Sequence, residues 1–168
     1  MRARGFTLIE LIIVICVVAV TFGVALERLL RYQEMGERAA LEQNLAAINT
    51  ALTMKFAAYV ASGRPEAIRA ELDNNPVDLL SRPPQNYLGE LYAPPAETLE
   101  RPYWYFDRRA HELVYFPNRR RYLSADAGPP ERIRFRVTVT APVAVPGQPR
   151  ELPQPFVLPV EPFTWQIE

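Results

Sequence analysis

Proline is missing from the first 64 residues, although the chain contains 17, all at or after Pro65. Proline removes a backbone donor and clashes with the preceding turn, so its absence lets those residues run as one long helix. Its abundance afterwards breaks the remainder into short elements. Cysteine is nearly absent too. Cys16 is the sole thiol and lies inside an apolar run, so whatever globular part follows must hold together by core packing, without a disulfide. A single histidine, His111, excludes a metal or nucleophile constellation built on His and Cys, and no serine has the histidine a catalytic triad needs. Net charge is also lacking, with 19 basic and 19 acidic side chains, which excludes a partner selected by bulk charge.

What is present begins with FTLIELIIVICVVAVTFGVAL, residues 6–26, an apolar run with Glu10 as its only charge. About 20 such residues suffice to cross a bilayer as a helix. Arg2 and Arg4 precede the run. The positive-inside rule keeps that tip in the cytoplasm and places everything after about residue 27 on the opposite side. A cleaved secretory signal is the rival reading. The run is longer than the usual apolar region of such signals, contains a carboxylate, and flows into further helix without a small-residue cleavage site.

A charge at the centre of a spanning helix costs about 2.5–3.5 kcal/mol on insertion scales. One reading of Glu10 is that it lies near the helix start, snorkels to the headgroups and gains from the macrodipole. A second is that a positive charge is created beside it.

The stretch Gly5-Phe6-Thr7-Leu8-Ile9-Glu10, after a very short basic leader, resembles the class III signal of type IV pilins and type II secretion pseudopilins. The resemblance is close over roughly residues 1–60 and extends beyond them only in general layout. It implies that a prepilin peptidase cuts between Gly5 and Phe6 and methylates the new amine of Phe6. It also implies that Glu10 neutralises that amine, chiefly on a neighbouring subunit during filament assembly. The physics agrees, because a cation at a helix N-terminus is disfavoured by the macrodipole and a nearby carboxylate offsets it. The family's usual proline about 22 residues after the cut is replaced here by Glu27, so a kink would have to come from Gly23 or Gly36.

From residue 27 the helix should continue to residue 61, so that residues 6–61 form one rod of roughly 84 Å. Leu41, Leu45, Ile48, Leu52, Phe56 and Tyr59 or Val60 recur at steps of three or four and form one apolar face. Residues 27–38 read as too polar to meet a core, with Glu27–Arg31 and Glu34–Arg38 as i,i+4 pairs. They should protrude between membrane and domain. A coiled-coil dimer is disfavoured because Glu34 and Glu37 interrupt a strict heptad.

Ser62-Gly63-Arg64-Pro65 is a stop signal, and residues 66–73 read as another short helix. Residues 74–95 carry prolines and turn residues and read as a loop anchored by Leu79, Leu80, Tyr87 and Leu88. Residues 103–106 and 113–116 are aromatic or β-branched runs around a polar turn, predicting a hairpin. Residues 133–140 alternate with period two and predict a third strand exposing Arg134, Arg136, Thr138 and Thr140, and residues 163–167 are a candidate fourth. The proline-rich stretch 141–162 reads as an excursion or an edge segment. The expected fold is α+β, a long helix packed by its second half on a small antiparallel sheet. The expected organisation is a leader at 1–5, a membrane span at 6–26, its amphipathic extension at 27–61 and a periplasmic domain at 62–168.

Asp107, Asp126 and Glu131 lack the spacing of a calcium site, and no metal or cofactor is expected. Arg108, Arg109, Arg119, Arg120 and Arg121 are candidates for a basic surface patch. With no net charge to support it, nucleic acid is not the expected partner, and balanced surface arginines are the simpler reading. The expected function is non-enzymatic: a structural subunit, of the minor kind, of a type II secretion pseudopilus or type IV pilus. Its partners would be the prepilin peptidase, other pilin or pseudopilin subunits, the inner-membrane assembly platform and membrane lipid. A minor pilin with its own DNA or adhesion surface, and a single-pass anchor that never polymerises, are the alternatives. A bulky side chain at the cleavage position should block the peptidase, so Gly5→Val should keep its leader. Intact-mass spectrometry decides this, and a variant chain starting at Phe6 would refute the assignment.

Overall fold

The computed structural model describes residues 7–92, 100–125, 128, 130–140 and 154–167. It is an α+β fold: one helix, α1 (Leu8–Ala61), followed by seven short strands in a five-stranded and a two-stranded sheet. Helix α1 is unbroken over 54 residues, about 81 Å at 1.5 Å per residue. Thr7 caps its start, its Oγ1 accepting from Glu10 N–H at 3.3 Å. Gly63 ends it at φ 72°, a left-handed conformation that glycine adopts freely, while Arg64 N–H reaches back to Tyr59 carbonyl at 2.9 Å.

The buried stripe of α1 is Glu34, Leu41, Ile48, Leu52 and Phe56, spaced by sevens and fours. It lies against the five-stranded sheet, whose order is β1 (Tyr87–Leu91), β2 (Tyr103–Asp107), β3 (Glu112–Phe116), β5 (Ile133–Thr140) and β6 (Gln154–Pro159). All neighbours are antiparallel except β1 and β2. The predicted hairpin is β2–β3, in register Tyr103↔Phe116 to Asp107↔Glu112. Its aromatic runs do not alternate because both faces are covered. Trp104, Phe106, Leu113 and Tyr115 join the core beneath α1, whereas Tyr103, Tyr105, Val114 and Phe116 form a second cluster with Leu91. Trp104 packs on Tyr115 with ring centroids 4.4 Å apart, and Tyr103 stacks on Phe116 at 4.8 Å.

Strand β5 follows its predicted alternation, with Ile133, Phe135 and Val137 buried and Arg134, Arg136 and Thr138 on the other face. Beneath that face Glu112 is buried and pairs with Arg136 at 2.6 Å and Arg134 at 3.4 Å. Strand β6 comes from the proline-rich stretch and is an edge strand; residues 141–153 lie outside the described ones. Val157 N–H points away from β5 and donates to Asn49 Oδ1 of α1 at 2.8 Å. Positions 155 and 159 share that side of the strand, and both are proline.

Three expectations are corrected. Residues 87–91, read as loop, form β1, because a short parallel edge strand tolerates the bulge at Gly89 and the flanking prolines. Residues 163–167, the candidate fourth strand, are a strand only over their first three residues and stand outside the main sheet. Phe163–Trp165 is β7, paired only with β4 (Leu123–Ala125) in the two-stranded sheet. The expected short helix at 66–73 is a 3-10 turn, Pro65–Glu71, followed by a second at Pro76–Leu79.

The first of these turns is tied to α1 through Glu71, which accepts from Tyr59 Oη at 2.6 Å and Asn74 Nδ2 at 3.2 Å and faces Lys55 at 3.7 Å. Partial burial pushes the Glu71 carboxyl up, but these donors and the lysine together hold it below its ordinary value of 4.5. A depressed folded-state value means the contribution is present above 4.5 and is lost as pH falls through the lower folded value. Glu71→Gln should therefore flatten the acid side of the stability profile measured by urea unfolding below that pH. An unchanged acid limb would contradict this coupling.

Candidate assembly site along the helix

Gly5 and Phe6 lie outside the described residues, so of the three site residues expected in the motif only Glu10 has a described position. It is exposed and occupies the third position of α1, where the helix macrodipole favours a carboxylate. Thr7 and Glu10 stand at the spacing of a capping box, a signal within TLIE that the reading of the motif did not use.

From Leu8 onward the apolar third of the helix has none of the described residues packed on it. Leu8, Ile9, Val20 and Phe22 are each more than two-thirds exposed, and Cys16 is exposed with them. By length and composition this single helix is able to cross a membrane. The one polar hydroxyl in its middle, Thr21 Oγ1, donates to Val17 carbonyl at 2.8 Å and is thus satisfied within the helix.

Beyond Leu26 the expectation that residues 27–38 protrude holds for most of them, which are exposed, and is corrected at Glu34 and Glu37. Glu34 is 2% exposed, and its Oε1 accepts from Tyr122 N–H and from Trp165 Nε1–H, both at 2.9 Å. Glu37 accepts from Tyr115 Oη at 2.9 Å, Asn118 N–H at 2.6 Å and Arg119 N–H at 3.1 Å. Polar side chains here meet the domain because its loop at 117–122 presents backbone donors that need acceptors. The predicted Glu34–Arg38 pair gives way for the same reason: Arg38 turns to Glu42 at 2.8 Å. Burial, then the Glu37 charge and the bond donated to it, push the Tyr115 hydroxyl well above its ordinary range. The phase of the stripe carried the signal for Glu34, which lies seven residues before Leu41.

The five candidate arginines fall in two places. Arg108 and Arg109 belong to the hairpin turn, where Arg108 pairs with Glu90 at 3.2 Å and lies 5.0 Å over the Tyr92 ring. Arg119, Arg120 and Arg121 follow the far end of β3, about 17 Å away at strand rise. Arg119 donates to Gln33, and Arg121 approaches Glu27 at 3.7 Å. His111 is in the turn as expected, at φ 54°, with Nδ1–H donating to Asp73 carbonyl at 2.8 Å. Among the described residues no three His, Cys, Asp or Glu side chains come together as a metal site.

A long apolar N-terminal helix followed by a small β-sheet is compatible with a pilin-like architecture. No family model matches the chain, and no curated protein or solved structure matches it either.

Glu34→Ala should leave one buried and one partly buried N–H donor without an acceptor, each worth about 1–3 kcal/mol. A loss of about 2–5 kcal/mol in urea unfolding is expected, with a change in Trp165 fluorescence. A loss below 1 kcal/mol would show that water replaces the carboxylate there.

Proposed function

We propose that this chain is a non-enzymatic subunit of a helical filament built at a membrane, of the type IV pilus or type II secretion pseudopilus kind. The observation that carries this reading is an unbroken helix whose apolar third is uncovered and starts, in GFTLIE, with Glu10 in its first turn. Within a monomer a carboxylate at that position gains only from the macrodipole and the spacing of a cap, and insertion would be easier without it.

In this account the leader stays in the cytoplasm and the chain is inserted once, with the sheet domain on the opposite side. The peptidase removes residues 1–5 and methylates the amine of Phe6. The new cation stands just before the Thr7 cap, at the positive end of the macrodipole. Glu10 of a neighbouring subunit then pairs with it as the helices bundle. The apolar third is covered by other helices once the subunit leaves the lipid. The assembly platform supplies the push, and the sheet and its loops set the neighbours.

Because removing one partner of a buried ion pair costs about 3–5 kcal/mol, Glu10→Val should lower incorporation into sheared filaments by about 100-fold or more. Insertion and cleavage should be unaffected, as read by carbonate extraction and intact mass. Incorporation at the level of the unaltered chain would sink the pairing role and leave a plain membrane anchor as the better reading.

A further inference from the structure

The membrane-spanning reading gives the domain a fixed height above the bilayer. Residues 8–26 rise about 28 Å, close to the roughly 30 Å of a hydrocarbon core. The next six or seven residues of α1, from Glu27 to Gln33, rise about 9 Å and fall in the headgroup layer. Loop residues of the sheet domain reach down to both ends of this interval: Arg121 meets Glu27 at 3.7 Å, and Arg119 meets Gln33.

Between helix and loop lies a cavity of about 260 Å³, lined by Arg31, Arg119, Arg120 and Arg121, with Leu30 on its apolar side and Glu34 as its one carboxylate. Glu34 accepts from Tyr122 N–H and Trp165 Nε1–H. Glu27, Glu37 and Glu131 stand around the same loop, so the excess of positive charge is confined to the cavity wall, where four arginines line it with the single carboxylate of Glu34. The Arg121–Glu27 pair is held loosely, since both side chains are more than half exposed. Tyr32 is exposed on the same stretch of helix, and Tyr122 lies under Arg121 with its ring 5.8 Å from the guanidinium. Tyrosine is enriched at both membrane interfaces, and arginine matches phosphate oxygens at either one.

We infer that this cavity seats the phosphate of an anionic phospholipid headgroup, in the leaflet from which α1 emerges. Guanidinium forks match phosphate oxygens better than a diffuse basic surface does, and the cavity is of headgroup size. The acyl chains would lie along the uncovered apolar third of α1, and Leu29, half exposed, borders the same level. Binding there would hold the domain at one height and rotation while the subunit waits in the bilayer. This inference rests on the membrane-spanning reading but not on filament assembly.

The test uses the full chain in detergent micelles doped with phosphatidylglycerol or phosphatidylcholine, with retained lipid counted by native mass spectrometry. The unaltered chain should retain phosphatidylglycerol preferentially. Each arginine near a charged surface contributes about fivefold, so R119Q/R120Q/R121Q should weaken retention by about 100-fold. Lysines at the same three positions should restore most of it. Arg120→Gln alone, at an exposed side chain, should cost about fivefold and serves if the triple variant unfolds by circular dichroism.

Equal retention of the two lipids, or no loss in the glutamine variants, overturns the proposal. So does complete displacement of lipid by inorganic phosphate at equal concentration, which would make this a site for free phosphate. Displacement by a single-stranded oligonucleotide would make it a nucleic-acid surface and overturns it as well. Release of the chain by alkaline carbonate would overturn the membrane reading beneath it. Firm insertion without lipid preference would overturn the headgroup site alone.

Discussion

Helix α1 passes from a stretch with no protein around it to a stretch buried in a core, and the fold depends on how that change is made. Two carboxylates one turn apart make it. Glu34 and Glu37 together accept five hydrogen bonds from the loop at 117–122, Tyr115 and Trp165. A bond from a neutral donor to a charged acceptor contributes about 1.5–3 kcal/mol, more than a typical backbone bond. An apolar seam at this place would pack as well but would have no preferred rotation about the helix axis. Directional acceptors fix which face of α1 meets the sheet, and thereby the phase of Leu41, Ile48 and Leu52 below it.

The same contact explains what could be foreseen from residues alone. Helix α1 was legible from the missing prolines and the three-and-four spacing, the hairpin from its aromatic runs, and β5 from strict alternation. Glu34 was not, because a carboxylate between two other charges reads as surface unless its phase on the stripe is given more weight than its type. Strand β1 was hidden by composition: proline and glycine around Tyr87 are turn signals, and only pairing with β2, settled by tertiary structure, makes those residues a strand. At the N-terminus the motif was legible as letters, and of its six residues, 7–10 are described.

The arginines show how little residue type says about role. Five of them in two sequence clusters looked alike. Arg108 and Arg109 sit in a turn where Glu90 and the Tyr92 ring take up Arg108, while the cluster at 119–121 meets the helix just above its apolar third. What separates them is distance along β3, which a linear reading does not convert into height above a membrane. The two-stranded sheet at the same end of the molecule has a related consequence. Trp165, almost the last described residue, is bonded to the helix at Glu34, so the C-terminal strand is fastened to the middle of α1.

Strand β6 has an outer edge that offers no hydrogen-bond donor to a newcomer. Two of its outward positions, Pro155 and Pro159, have no N–H, and the third, at Val157, is already taken by Asn49. An open edge is a template on which another chain can lay a strand, and crowding makes such mistakes frequent. Chains anchored in one bilayer are crowded by geometry, since they share a surface instead of a volume. Here that edge keeps its outward carbonyls but offers no free backbone donor, so a strand laid along β6 by another chain would find only part of the hydrogen bonds a ladder needs.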